Sequence, residues 1–358
     1  MNKRKLKKAI KRLKHLPRGG NFLRYILNKI KGFIFHLLKN KKVACPSHIM
    51  IEVTNHCQLH CITCAREYKY GQEMNKGHIE IENLKKIVDD VYPYIDSIGL
   101  TGLGEPLLYK NLPEALQYIK DKSQGIITFI STNAGLNNTT GIVKQIAKNT
   151  DTFQVSIDGI EDVYEKIRIN GNYNQFIQNV KDLVEIASDK ESDVMFNAVI
   201  LKENYHQMPD FLNLCNELNI KYLHFNTFNL ASVTNIDVSY YDFYQSDEFK
   251  NKLRDTYEIA AKYPEIEFTT WDFATPNSFK KCNFPWSHFY FTWDGFLVPC
   301  CAKPFPKELS FGNAFRESAI STLNSKRFQD FRGLWYKNTV PGFCKKCHMV
   351  DLKPTVGL

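Results

Sequence analysis

The sequence predicts an α/β protein built on a parallel sheet, either doubly wound or curved into part of a barrel. From His48 onward, six short β-rich runs alternate with helical patterns. A strongly basic stretch precedes this alternation, and a compact cysteine-containing region follows it. With 358 residues, 43% hydrophobic and 24% charged, the chain has the composition of a globular protein of about two domains. Wholesale disorder, collagen and coiled coil are excluded.

Charge is the first element to explain. Residues 1–42 hold 15 Lys and Arg and no acid, the first acidic residue being Glu52. The remaining residues, 43–358, hold 32 basic and 38 acidic side chains, a mildly acidic body behind a basic arm. Within the arm, Phe22, Leu23, Ile26, Leu27, Ile30, Phe33, Ile34, Leu37 and Leu38 recur at three- and four-residue steps. That spacing makes an apolar helical stripe, opposed by Arg24, Asn28, Lys31 and Lys39. The arm's longest uncharged run, Gly32 to Leu38, is far short of the ~20 residues of a membrane span, and no cleavage site of a signal peptide follows it. We therefore expect a cytoplasmic chain whose arm lies on an anionic membrane surface. Packing of the apolar face on the barrel is the alternative. A nucleic-acid arm explains the lysines but leaves the stripe without a role.

The strand-like runs are His48–Thr54, Ser97–Thr101, Ile126–Thr132, Thr152–Ile157, Val194–Ile200 and Lys221–Asn226. Helical spacing occupies Glu80–Tyr94, Leu112–Lys122, Thr140–Lys148, Phe176–Ala187 and Met208–Leu218. A Tyr/Asp-rich segment with a helix near Phe249–Lys262 interrupts the alternation over 227–281. Beyond Cys282, an Asp294–Gly295 turn between apolar runs reads as a hairpin. The expected organisation is an arm at 1–42, a core at 43–230, a connection at 231–281, a cysteine domain at 282–350 and a tail at 351–358.

Chemistry enters directly after the first strand, where Cys57, Cys61 and Cys64 form a CX3CX2C loop. Three thiolates at this spacing converge on one inorganic centre. Zinc would need a fourth ligand, for which His56 or His60 is at hand. A [4Fe–4S] cluster with three protein ligands leaves one iron open.

On these residues the chain resembles the radical SAM superfamily. Gly102-Leu103-Gly104-Glu105-Pro106, at the end of the second strand, is similar to that family's GGEP motif, which contacts the amino group of S-adenosylmethionine. Independently of the family, glycines allow close backbone approach and a carboxylate suits an ammonium. Ser131 and Asn133 after the third strand, and Ser156, Asp158 and Arg168 after the fourth, resemble its contacts to the ribose hydroxyls and the methionine carboxylate. Asn-Ala-Gly and Asp-Gly are also ordinary turn sequences. Two positions depart from the family: Thr63 where an aromatic residue often meets adenine, and Gln58 where Asn often follows the first cysteine. The resemblance implies a partial (β/α)6 TIM-type barrel, and a cofactor cleaved to methionine and a 5′-deoxyadenosyl radical that abstracts hydrogen. It also implies an external electron donor of the flavodoxin or ferredoxin type.

The C-terminal cysteines, Cys282, Cys300, Cys344 and Cys347, resemble the SPASM-type domain of the same superfamily. That likeness implies one auxiliary [4Fe–4S] cluster able to accept an electron from the substrate; a structural zinc is the rival for a four-cysteine set. Cys301 either replaces Cys300 as a ligand or packs; Cys45 and Cys215 read as bystanders. For the substrate, Asn197 on the fifth strand and His224 and Asn226 on the sixth are candidates that either face the barrel interior or cap loops. The arm is shorter than the leader-binding domain many peptide maturases carry, which favours oxidation of a small molecule or glycan over a peptide. A non-enzymatic metal protein binding nucleic acid would require the motifs to be accidental.

Overall fold

The computed structural model describes residues 3–271, 273 and 282–350. Among them nine strands form one sheet: β1 (His48–Ile51), β2 (Ser97–Leu100), β3 (Ile127–Thr132), β4 (Thr152–Ser156), β5 (Asp193–Ile200), β6 (Tyr222–Thr227), β7 (Glu267–Thr270), β8 (His288–Phe291) and β9 (Leu297–Val298). Their order is β9-β8-β1-β2-β3-β4-β5-β6-β7, with every neighbouring pair parallel except β8 and β9. The two ends of the sheet are not joined to each other, so the barrel is partial. All six expected strands are present as β1–β6. Three further strands are added, β7 from the connecting segment on one side and β8 and β9 from the cysteine region on the other, so the sheet crosses the sequence boundary at 282.

Helices α3 (Ile81–Val91), α4 (Leu112–Lys122), α5 (Thr139–Ile146), α6 (Tyr173–Asp189) and α7 (Met208–Glu217) follow β1 to β5 in turn. Each forms because its apolar residues recur on one face: α3, for example, buries Leu84, Ile87, Val88 and Val91. Local chemistry sets the helix starts, as where the Asn172 side chain accepts from the Gln175 amide. Along β5 and β6 fully buried and half-buried residues alternate. The buried set meets the helices: Phe196 lies 6.4 Å from Phe176, and Phe225 lies 5.6 Å from Phe211. The half-buried set therefore faces the concave interior. The hairpin at Asp294–Gly295 joins β8 to β9, with Gly295 at φ +87, a conformation that costs glycine nothing.

The arm forms two helices, α1 (Lys3–Lys14) and α2 (Gly20–Leu37), laid across the amino ends of the strands. Three carboxylates at that edge hold it. Asp96, before β2, accepts from Arg12, from the Tyr25 hydroxyl at 3.0 Å and from Lys29 at 3.0 Å. Asp151, before β4, pairs with Lys11, and Asp193, opening β5, lies 3.5 Å from Lys8. Asn28 exchanges hydrogen bonds of 2.8 and 2.9 Å with the Cys45 backbone. This corrects the expectation that, if the arm packed on the barrel, it would do so by its apolar face: a barrel edge rimmed with carboxylates selects the cationic face. The tail at 351–358 lies outside the described residues.

Candidate active site

Because β1–β6 run parallel, the segments after β1, β2, β3 and β4 emerge at one carboxyl edge of the sheet, where α/β folds place their ligands. The cysteine loop follows β1. It is shaped by a two-residue antiparallel pairing in which Cys61 lies opposite Arg168, and by a bond from the Ile62 amide to the Ile167 carbonyl at 3.0 Å. Arg168, placed ten residues beyond Asp158 in sequence, is thus brought against the cysteines. Its guanidinium sits 2.8 Å from the Asp158 carboxylate and 3.9 Å from the Cys61 sulfur.

Gly104 approaches the cysteine loop so closely that an added Cβ would meet the Thr54 carbonyl at 2.4 Å. At Gly102 a Cβ would meet the Glu52 side chain at 2.3 Å. Glu105 is buried, and both its oxygens already accept: from the Thr132 hydroxyl at 2.7 Å, the Leu107 amide at 3.1 Å and the Asn133 amide at 2.7 Å. Burial raises its carboxyl above the ordinary range, against those bonds. The carboxylate ties β2 to β3, so the motif turns its backbone toward the loop; Pro106 follows in the buried turn.

Asn133 donates toward the Cys57 sulfur at 3.4 Å and accepts from Gln58 at 2.9 Å. Gln58, which departs from the family pattern, thus joins the site through Asn133. Ser131 and Ser156 lie half-buried on the concave side of β3 and β4. Asp158 also accepts from the Val199 amide at 2.8 Å. On the concave face Ser156, Asn197, His224 and Thr269 stand directly across neighbouring strands. Asn226 donates to Asn197 at 2.7 Å, and His224 lies 2.8 Å from the Thr269 hydroxyl. Asn197, His224 and Asn226 thus stand on the half-buried face of β5 and β6 and do not cap loops.

The second cysteine set closes around one cavity, lined by Cys282, Cys300, Cys344 and Cys347. Cys301 is more exposed than these and lies outside that lining. The end of the core and the connecting segment brace the site: Asn229 donates to the Cys347 sulfur at 3.6 Å, Tyr241 to the Lys346 carbonyl at 2.8 Å, and Lys346 to the Ile236 carbonyl at 2.7 Å.

Both sets fit iron–sulfur clusters. Burial pushes the Cys61 thiol up to about 12 and Cys64 to about 11, so thiolates there require a compensating metal charge. Among the described residues no three His, Cys, Asp or Glu side chains converge as one metal ion demands. The Arg168 Nε, buried and without a hydrogen-bond partner among the described residues, fits a ligand carboxylate.

Sequence reasoning missed Glu52, whose signal was a lone acid inside an apolar strand. It is buried and accepts from the Tyr290 hydroxyl and from the Leu103 amide at 3.1 Å. Burial pushes its carboxyl up to about 7.

Comparison with known proteins follows the same division. The Radical SAM superfamily profile matches residues 51–215, and an iron–sulfur cluster-binding domain of the SPASM family matches 282–348. A tungsten-containing aldehyde ferredoxin oxidoreductase cofactor-modifying protein of Pyrococcus furiosus is 25% identical, over 85% of this chain and 88% of its own. The PqqA peptide cyclase of Bradyrhizobium diazoefficiens is 22% identical, over 86% of this chain and 80% of its own. In fold, Streptococcus suis SuiB bound to the precursor peptide SuiA superposes with a TM-score of 0.66 at 17% identity, over 88% of this chain and 72% of that one.

Proposed function

Since this chain belongs to the radical SAM superfamily and carries a SPASM-type iron–sulfur domain behind its core, we propose that it oxidatively modifies a peptide. When bound, a reduced [4Fe–4S] cluster with S-adenosylmethionine supplies a radical that abstracts hydrogen from carbon, and an auxiliary [4Fe–4S] cluster supplies an acceptor for the electron left behind. Cys57, Cys61 and Cys64 hold the first cluster, and Cys282, Cys300, Cys344 and Cys347 the second. Arg168, positioned by Asp158, takes the methionine carboxylate through its unpartnered Nε. The backbone of 102–104 meets the amino group, with Glu105 holding that turn rather than touching the ligand. Asn133, Ser131 and Ser156 would take the ribose hydroxyls.

One observation carries the peptide reading: similarity to a peptide cyclase covers 86% of the chain and 80% of that protein. The concave face agrees, because Asn197, His224, Asn226 and Thr269 are polar donors and acceptors that suit amide groups. The expectation of a small molecule or glycan rested on the length of the arm. That ground weakens, because both arm helices are engaged with the barrel's amino edge, α1 through Lys11 and Arg12 and α2 through Lys29. A flavodoxin- or ferredoxin-type donor on the reducing, cytoplasmic side would supply the electron.

The test is anaerobic incubation of the reconstituted protein with S-adenosylmethionine, a reductant and peptides encoded by short reading frames beside its gene. A peptide that loses two hydrogens by mass spectrometry, in step with 5′-deoxyadenosine, supports the proposal. Turnover of a small molecule or glycan, with every such peptide unchanged, overturns it.

A further inference from the structure

The arm is inside out for a protein in water. Its cations Lys8, Lys11, Arg12 and Lys29 turn inward to Asp193, Asp151 and Asp96, and its apolar residues turn outward. Of the sixteen exposed large hydrophobic residues among those described, twelve lie in the arm. On α1 these are Leu6, Ile10 and Leu13; on α2 they include Leu23 (59% exposed), Phe33 (64%) and Leu37 (62%). At 100° per residue the exposed set on α2 forms one continuous stripe, bordered along one edge by Arg24 and Lys31, one heptad apart. A contiguous apolar face of this length marks an interaction surface.

We propose that this face seats the protein on a bilayer rich in anionic phospholipid, with the arm lying in the interface and the catalytic edge directed away from the membrane. Three observations select that occupant. Arg24 and Lys31 border the stripe, Lys14, Arg18, Lys39, Lys41 and Lys42 are exposed elsewhere on the arm, and no acidic residue precedes Glu52, so the arm's surface is cationic as well as apolar. A second copy meeting it arm to arm would bring these cations together, while the carboxylates beneath are engaged by the arm's own Lys8, Lys11, Arg12 and Lys29. No helix among the described residues is long and apolar enough to cross a membrane, which leaves lying on it. The site segments emerge from the opposite ends of the same strands, so a seated arm does not block them.

The test is flotation of the full chain with vesicles of equal parts phosphatidylcholine and phosphatidylglycerol, beside phosphatidylcholine alone. The protein should float with the mixed vesicles, at least about tenfold more than with neutral ones, and be released by high salt. Replacing Leu23, Leu27, Phe33 and Leu37 together by Ser changes only exposed positions and should abolish flotation. Arg24→Gln with Lys31→Gln should weaken partitioning about fivefold for each cation removed. Circular dichroism confirms that each variant is folded. The proposal fails if the wild type does not float, if it floats equally with neutral vesicles, or if the charge variant, which leaves every apolar contact intact, floats undiminished. It also fails if sedimentation shows a dimer that the Ser variant splits while neither form binds vesicles, since the face would then join two copies.

Discussion

Changing Arg168 to Gln separates two roles that one side chain carries. Arg168 and Asp158 form an ion pair at 2.8 Å with side chains only 7% and 2% exposed, so removing the cation strands a buried carboxylate. Breaking such a pair costs about 3–5 kcal/mol. The Val199 amide still donates to Asp158 at 2.8 Å, which places the loss near the lower end. S-adenosylmethionine would lose one charge-assisted hydrogen bond, worth ~1.5–3 kcal/mol, so its binding should weaken about 10- to 150-fold. Adding Asp158→Asn removes the stranded charge. The double variant should recover most of the thermal stability while binding the cofactor as poorly as the single one. Anaerobic equilibrium dialysis and thermal unfolding read the two quantities separately. If the double variant regains affinity along with stability, Arg168 acts only by holding the loop, and its contact to the carboxylate is refuted.

Glu52 should make stability fall with rising pH. Its folded carboxyl is pushed up to about 7 from an ordinary 4.5, so the native state holds a proton that the unfolded chain releases. Its contribution is fully present below the ordinary value and is lost as pH rises through about 7, a change of roughly 3 kcal/mol. Glu52→Gln should flatten urea midpoints between those limits and exceed the wild type at pH 8; an unchanged profile contradicts the assignment. Cys301→Ser should leave the iron content of the second site intact, whereas Cys300→Ser should lower it; the reverse would exchange their roles. Asp96→Asn removes the carboxylate shared by Arg12, Tyr25 and Lys29, in pairs about a quarter exposed, and should loosen the arm by ~1 kcal/mol. Trypsin should then cut within residues 12–31 faster while the barrel stays intact; equal rates would show that other contacts hold the arm.

Much of the barrel was legible because its strands and helices announce themselves by period. The buried and half-buried alternation along Asp193–Ile200 is in the sequence, and so is the apolar face of Ile81–Val91. The cysteine loop and its accompanying turns were legible because ligand spacing and glycine placement are local. What escaped depends on residues far apart in the chain. That Glu105 would be consumed by Thr132 and Asn133 follows from the β2–β3 neighbourhood, which no local pattern encodes. His288–Phe291 read as half a hairpin, and its pairing with β1, more than two hundred residues earlier, could not be read from either segment. Which face of the arm meets the barrel escaped for the same reason. Its stripe was visible, yet the face it would show to the barrel depended on Asp96, Asp151 and Asp193 lying at one edge. Cys300 and Cys301 are adjacent and chemically identical, and only the folded turn separates the one in the cavity from the one outside it.

The central claim is that two cysteine sets serve two clusters, one of which works with S-adenosylmethionine. The most direct measurement is iron content together with 5′-deoxyadenosine formation, in the anaerobically reconstituted wild type and in a variant with Cys57, Cys61 and Cys64 all changed to Ala. The wild type should hold about eight irons and form 5′-deoxyadenosine when reduced. The triple variant should keep about half the iron and form none. A triple variant that still cleaves the cofactor, or a wild type carrying one zinc in place of the second cluster, would contradict the account.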